Sequence, residues 1–296
     1  MQHILITGAT GYIGKQVVTQ LALSNTGCQI LTLNRDVQKA KQTLPFPQCE
    51  HTTTNDAEAI RRFAPDVVLH LAAFSTPLHN EEVLKQLIDT NIHYGAWLLE
   101  QLNRIEGKNI TFVNTGSFAE YRLGTKEGCR PAYLYTATKT AFKAVLRFYQ
   151  DLCKLRVITA IPYSVYGGQN TRKQLMDYLL DSLNSTTPID MTPGEQILDF
   201  VHVDDVARFY VNIALHPEAL PEGEYHLGTG KGTSIRALAD LAEQLSGKKA
   251  NINWGGREYR PLDVMNAIAP HNKELDKFWK PQISLRQGLN LLLQNN

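Results

Sequence analysis

Tyr135 and Lys139 stand four residues apart in the stretch Tyr135-Thr136-Ala137-Thr138-Lys139. On a helix that spacing puts both side chains on one face, about one turn apart. A free phenol, with a pKa of about 10, is too weak an acid to be useful near neutrality. A neighbouring ammonium favours the phenolate and lowers that value, which would make the pair a matched general acid/base for a carbonyl or an alcohol. Of the 12 tyrosines, only Tyr135 has a lysine four positions later. The same spacing suits an ordinary amphipathic helix with a surface lysine and a half-buried tyrosine, so the reading depends on what surrounds the pair.

A second cluster lies near the start of the chain. Gly8-Ala9-Thr10-Gly11-Tyr12-Ile13-Gly14 follows the apolar run His3–Thr7 and precedes a helix with Ile13, Val17, Val18 and Leu21 on one face. Strand, glycine turn and helix in that order are the setting of a dinucleotide fingerprint. The glycines let the backbone approach a pyrophosphate, and the helix N-terminus receives its charge. The spacing here is GxxGxxG rather than GxGxxG. NAD-binding units place an Asp or Glu for the ribose 2′-hydroxyl about 20 residues further on. This chain has Asn34-Arg35 there, after the predicted strand Gln29-Ile-Leu-Thr-Leu33. A carboxylate would repel a 2′-phosphate, whereas arginine can grip one with two hydrogen bonds. NADPH is therefore expected ahead of NAD(H), with Asp36 next door weighing the other way.

The elements that would hold these groups can be read in turn. Val67-Val-Leu-His-Leu-Ala-Ala73 is a buried strand, and His70 within it reads as an interior imidazole rather than a ligand. Asn91 to Asn103 reads as a helix, and Thr111 to Asn114 as the next strand. That strand ends in Thr115-Gly116-Ser117, at the carboxyl edge where parallel sheets place ligands, so a hydroxyl there is placed to hydrogen-bond a substrate oxygen beside Tyr135. The helix over Leu134 to Leu152 carries the Tyr/Lys pair, with Val145, Leu146, Phe148, Tyr149 and Leu152 at helical spacing. Val157 to Ile161 is another strand. Strands alternating with helices predict an α/β, Rossmann-type, doubly wound parallel sheet. The alternation weakens after Gly168, which points to a smaller C-terminal lobe. The expected division is 1–165 plus 199–222 for the dinucleotide-binding domain, and 166–198 plus 223–296 for the substrate-binding lobe.

Composition narrows the setting. The chain has 296 residues, net charge +1, and apolar and charged fractions of 43% and 20%, ordinary for a globular protein. Its scattered Lys and Arg give no footprint for nucleic acid. Four separated cysteines without a CxxC pair read as reduced thiols in a cytoplasmic setting. No run is long enough to span a membrane, no signal-peptide layout opens the chain, and no metal-ligand spacing occurs.

Taken as an ordered set, these segments resemble the extended short-chain dehydrogenase/reductases, the NAD-dependent epimerase/dehydratase group that acts on nucleotide sugars. The resemblance rests on Gly8-x-x-Gly11-x-x-Gly14, His70-Leu-Ala-Ala73, Asn91-x-x-x-Gly95, Tyr135-x-x-x-Lys139, Val165-Tyr-Gly167, Asp199-Phe-Val-His-Val-Asp-Asp205, Tyr225-His-Leu-Gly-Thr-Gly230 and Arg260-Pro-Leu-Asp263. It implies Tyr135 as catalytic acid/base, Lys139 as its partner and a contact of the nicotinamide ribose, and Thr115, with Ser117 as fallback, as the catalytic hydroxyl. It further implies cofactor contacts from Gly8, Thr10, Gly11, Tyr12, Ile13, Gly14, Asn34, Arg35, Leu71, Ala72, Ala73, Asn91, Pro162 and Val165. Ser75, Thr76, Asn170 and Arg260 are implied for the substrate, with Arg260 on its diphosphate. A homodimer through helices near 93–106 and 135–152 is implied as well.

Two departures from the family pattern shape the expected reaction. Dehydratases of the group follow the catalytic Thr with Asp-Glu, whereas Gly116-Ser117 stand here and cannot act as acid or base near pH 7. The usual arginine before Asp199-Phe200 is Leu198. The pattern most resembles the nucleotide-sugar 4-ketoreductases, of the CDP-abequose and dTDP-6-deoxyhexose type. The expected function is NADPH-dependent reduction of a nucleotide-linked 4-keto-6-deoxyhexose at C4. The alternatives are a 4-epimerase that retains NAD, and a non-catalytic dinucleotide-sensing regulator that needs the glycine loop but not the Tyr/Lys pair.

Overall fold

The computed structural model describes residues 2–24, 26–168 and 173–294. The first half alternates strand and helix: β1 His3–Thr7, α1 Tyr12–Leu23, β2 Gln29–Asn34, α2 Val37–Thr43, β3 Cys49–Thr53, α3 Ala57–Phe63 and β4 Val67–His70. α4 Glu81–Ile88 and α5 Tyr94–Asn103 follow, then β5 Thr111–Thr115, α6 Leu134–Cys153, β6 Arg156–Pro162 and β7 Ser164–Tyr166. The second half holds α7 Leu175–Ser182, β8 Ile189–Met191, β9 Ile197–His202, α8 Val203–Leu215, β10 Gly223–Leu227, β11 Gly232–Ser234 and α9 Ile235–Ser246. It closes with β12 Ile252–Trp254, β13 Asn266–Ala267, α10 Lys273–Phe278 and α11 Leu285–Gln294.

Burial explains why the early strands are nearly continuous in apolar residues. Ile4 and Ile6 face one side of β1 and join a core with Val17, Leu21, Val206 and Phe209, while Leu5 faces the other and packs with Val68, Phe112, Leu98 and Phe142. A strand covered on both faces has no solvated side and needs no alternation. The main sheet is parallel throughout, in the order β10-β6-β5-β4-β1-β2-β3. Chain direction around the sheet reverses between β1 and β4, and a doubly wound sheet opens its ligand crevice at that point, beyond the carboxyl ends of the strands. α1 and α8 cover one face, and α3, α5 and α6 the other. A third core, built from Leu179, Leu180, Phe200, Leu238 and Leu289, belongs to the smaller lobe.

The structure corrects several expectations. Residues 199–222 were expected to return to the main sheet and 223 onward to lie in the lobe. Instead β10 pairs with β6 as the outermost strand of the main sheet, whereas β9 pairs with β7, β11 and β13 in a smaller one. Of the 199–222 piece, α8 together with Val201 and Leu220 packs on the main sheet's core. The strand expected over 67–73 ends at His70. Thr7 turns the chain off the ladder there: its carbonyl takes Leu71 N–H (3.3 Å) and its hydroxyl takes Ala72 N–H (3.1 Å). The helix expected from Asn91 is α-helical only from Tyr94, because Asp89–His93 forms a π-helical turn. Such single wide turns occur mostly near functional sites, and this one swings Asn91 inward, where it is 1% exposed.

Candidate active site

A groove of about 1200 Å³ runs along the carboxyl edge of the main sheet. One wall is the glycine turn, where Gly8, Gly11, Tyr12, Ile13 and Gly14 line it. Gly8 has φ +69°, and a Cβ on it would stand 2.7 Å from Ala72 N; a Cβ on Gly14 would stand 2.2 Å from Gly8 O. Neither position tolerates a side chain, and the result is a bare cradle of backbone. α1 starts beside it at Gly11 with no capping side chain and no acidic residue in its first turn. Its uncapped N–H groups and dipole therefore face the cradle, which suits a pyrophosphate.

The floor comes from the loop after β4, with Leu71, Ala73, Phe74, Ser75 and Thr76. Two buried side chains hold that loop. Thr7 hydroxyl bonds His70 Nδ1 at 2.9 Å while accepting Ala72 N–H. Burial, aided by the Lys139 charge, pushes His70 down to about 3, so it stays neutral, an interior imidazole as expected. Asn91 accepts Phe74 N–H (2.8 Å) and donates to Phe74 O and to the Thr138 hydroxyl, each 3.0 Å away. Asn91 therefore fastens the loop to α6 and does not itself line the groove. Replacing Thr7 by Val would leave Ala72 N–H and His70 unpaired; we expect a loss of about 1–3 kcal/mol in stability and a weaker dinucleotide affinity, read by calorimetry.

The opposite wall carries the chemistry. α6 buries Thr136, Lys139, Phe142 and Leu146 along one stripe, and both Tyr135 and Lys139 line the groove. Lys139 is 3% exposed. Burial drives it down to about 8, with Glu120 pulling it up and Lys143 pushing it further down. Tyr135 departs from expectation. Burial and then the Glu120 charge push its phenol up to about 12, against a hydrogen bond from Ser75. Tyr135 stands protonated.

Of the expected hydroxyls, Thr115 is 9% exposed and bonded to Tyr210 OH at 2.8 Å. Ser117 is half-buried on the groove wall, and its hydroxyl makes only a long contact, 3.4 Å, from Ala119 N–H. Both hydroxyls line the groove, Thr115 engaged by Tyr210 and Ser117 the freer of the two. Pro162 and Val165 line the groove next to Tyr163, Ser164 and Tyr166, and Leu175, Met176, Leu198 and Phe200 close its lobe end. Tyr12 ties cradle to lobe by donating to Gly167 O at 2.5 Å.

Several expected residues fall elsewhere. Thr10 and Ala72 adjoin the groove without lining it. Asn34 is 5% exposed and donates back into the sheet, to Thr32 and Thr52, so it does not face a ribose. Arg260 lies on a loop, half-exposed, over the Tyr133 ring (5.9 Å) and 3.8 Å from Asp263, and is not part of the groove. Asn170 lies outside the described residues. Missed in the sequence was Glu120, a carboxylate with no exposure at all. The Ser117-x-x-Glu120 spacing of a capping box, observed here, was its signal.

Among the described residues, the groove lining includes Arg35, Lys139 and Lys173 but no Asp or Glu. No group of three or more His, Cys, Asp or Glu side chains is placed to hold a metal among those residues, and no helix among them is long and apolar enough to cross a membrane. The lining fits an elongated anionic ligand at the cradle and a second beside Tyr135.

Residues 4–228 match the NAD dependent epimerase/dehydratase family. CDP-abequose synthase of Salmonella typhimurium is 26% identical over 302 residues, covering 99% of this chain and 98% of that protein. The probable UDP-glucuronate 4-epimerase of Rhizobium meliloti is 26% identical over 323 residues, covering 96% and 94%. The crystal structure of UDP-glucuronic acid 4-epimerase from Bacillus cereus, in complex with UDP-glucuronic acid and NAD, superposes with a TM-score of 0.86 at 22% identity, covering 99% of this chain and 98% of that one. At that identity the likeness speaks to the fold.

Proposed function

This chain belongs to the NAD dependent epimerase/dehydratase family, and from that premise we propose that it reduces a nucleotide-linked 4-keto-6-deoxyhexose at C4 with NADPH. The observation that carries the reading is a protonated Tyr135 on the wall of a groove whose described lining holds no carboxylate. Ketone reduction consumes a proton and starts from the phenol. Removal of water from a sugar needs a second acid/base, and the groove offers none beside Ser117.

The cofactor supplies the hydride. Gly8, Gly11 and Gly14 with the α1 N-terminus would hold its pyrophosphate, and Arg35, the cation on the cradle side, its 2′-phosphate. Leu71, Ala73, Pro162 and Val165 would lie along it. Ser117 donates a hydrogen bond to the sugar ketone, and Tyr135 gives its proton to the same oxygen as negative charge develops there. Lys139 adds a buried positive charge beside that oxygen, which stabilises the alkoxide electrostatically. Lys173 is the cation at the lobe end for the nucleotide diphosphate, where Leu198 is apolar.

Ser117→Ala is expected to lower kcat about 100- to 1,000-fold, the range for loss of one oxyanion-directed hydrogen bond. Thr115→Val should leave kcat within a few-fold and cost about 1 kcal/mol of stability through Tyr210. The reverse ranking would restore Thr115 to the role. The reading as a whole is tested by following NADPH oxidation with CDP-, dTDP-, GDP- and UDP-linked 4-keto-6-deoxy sugars. The second reading, a 4-epimerase, is favoured by the epimerase relatives of equal identity. No oxidation with any sugar, together with stoichiometric NAD released from the purified protein, would establish it instead. A homodimer through 93–106 and 135–152 accompanies the proposal, since Phe148 and Leu152 on α6 are 62% and 54% exposed.

A further inference from the structure

A carboxylate sealed beneath the site has no part in the steps above. Glu120 closes the 3-10 turn Phe118–Glu120 that follows β5, and is 0% exposed. Its Oε1 accepts the backbone N–H of Ser117 at 2.8 Å. Its Oε2 accepts the Thr140 hydroxyl at 3.0 Å and lies 3.0 Å from Lys143 Nζ. Lys143 in turn reaches Glu224 Oε1 (2.8 Å) and the Tyr121 hydroxyl (3.1 Å), and Tyr121 also bonds Glu224. Gly116 completes the fit: a Cβ there would meet Glu120 Oε1 at 2.6 Å and Ile161 Cδ1 at 2.4 Å. The carboxylate fills the space that a side chain at 116 would need.

Tyr135, Lys139 and Lys143 recur every four residues on α6 and so share a face. Glu120 bridges from the strand end that carries Thr115 and Ser117 to that face. We propose that Glu120 is a positioning residue for the site: it clamps the Thr115–Ser117 turn to α6 through Ser117 N–H, Thr140 and Lys143, and so sets a negative charge against the face of α6 that carries Tyr135 and Lys139.

The other groups around the pair do not supply that charge. His70, from β4, is neutral. Tyr210, from α8, is held protonated by burial, and Ser75, from the loop after β4, brings a hydroxyl. Glu224, from β10, is engaged by Lys143 and Tyr121. Glu120 is the anion that acts on both Tyr135 and Lys139.

The test reads Lys139 directly. The cofactor-free protein is acetylated with acetic anhydride across a pH series, and modification of Lys139 is followed by peptide mass spectrometry. Wild type should show a midpoint near 8. Glu120→Gln keeps the shape and removes the charge; its midpoint should fall by about one unit. Lys143→Met unmasks Glu120 and should move the midpoint upward. Glu120→Asp keeps the charge but not the reach, so its midpoint should stay put while kcat drops with KM little changed. An unaltered midpoint in a folded Glu120→Gln protein would overturn the proposal. If that variant melts too low to titrate, Lys143→Met alone is compared with Lys143→Met carrying Glu120→Gln, which removes both members of the buried pair: a lower midpoint in the double variant is expected, and an equal one overturns the proposal. The inference rests on the site read above, but labelling requires neither sugar nor dinucleotide, so its failure is distinct from failure of the reductase reading.

Discussion

A Tyr135→Phe protein is expected to lose about 10³-fold in kcat, within the range for removal of a general acid, while binding NADPH within a few-fold of wild type. The ring keeps its packing, and only the proton donor goes. Stability should change by no more than about 1 kcal/mol, the net worth of one hydrogen bond, here the one with Ser75. Stopped-flow single turnover on the NADPH-loaded protein separates this loss from product release. Near-normal single-turnover rates would remove Tyr135 from the reaction. The pH profile of wild type adds a second check. Lys139 is pushed down to about 8; it is charged below that value and neutral above it, so the rate should fall as pH rises through it. The phenol is pushed up to about 12 and should contribute no limb over the usual working range.

Arg35→Asp should reverse the choice of dinucleotide. Arg35 is on the groove lining, and Asn34 beside it is turned into the sheet. A guanidinium bonded to phosphate contributes about 1.5–3 kcal/mol, and a carboxylate in its place adds repulsion. The NADPH dissociation constant should rise about 100-fold, with NADH gaining relative to it, as the aspartate accepts from a free ribose hydroxyl. Titration calorimetry with both dinucleotides measures the swing. An unchanged NADPH affinity would assign the arginine to solvent and favour NAD as the cofactor.

What could be read from the sequence was local. The glycine turn, β1 and α1 form one continuous stretch, and the Tyr135–Lys139 pair needs only helical periodicity to share a face. What could not be read depended on partners far away in the chain. The sequence ranks Thr115 ahead of Ser117 but cannot show that Tyr210, 95 residues downstream, engages the Thr115 hydroxyl. Asn34 seemed placed for a ribose, but Thr32 and Thr52 hold its amide. The acidity of Tyr135 was misjudged for the same reason. The lysine one turn away is visible in sequence, whereas the depth of burial and the carboxylate of Glu120 come from tertiary packing. β10 reads as a plausible lobe strand, because a short apolar run cannot announce which sheet edge it will join.

The placement of β10 has a consequence for engineering. The chain leaves the large sheet after β6, forms β7 to β9, comes back through α8 and β10, and then departs again. A fragment ending near residue 165 would bare the edge of β6, an invitation to intermolecular strand pairing. Swapping everything beyond that point for a relative's sequence would replace part of the scaffold along with the sugar pocket. New specificity on this architecture is therefore to be grafted loop by loop, with both crossings between the sheets left intact.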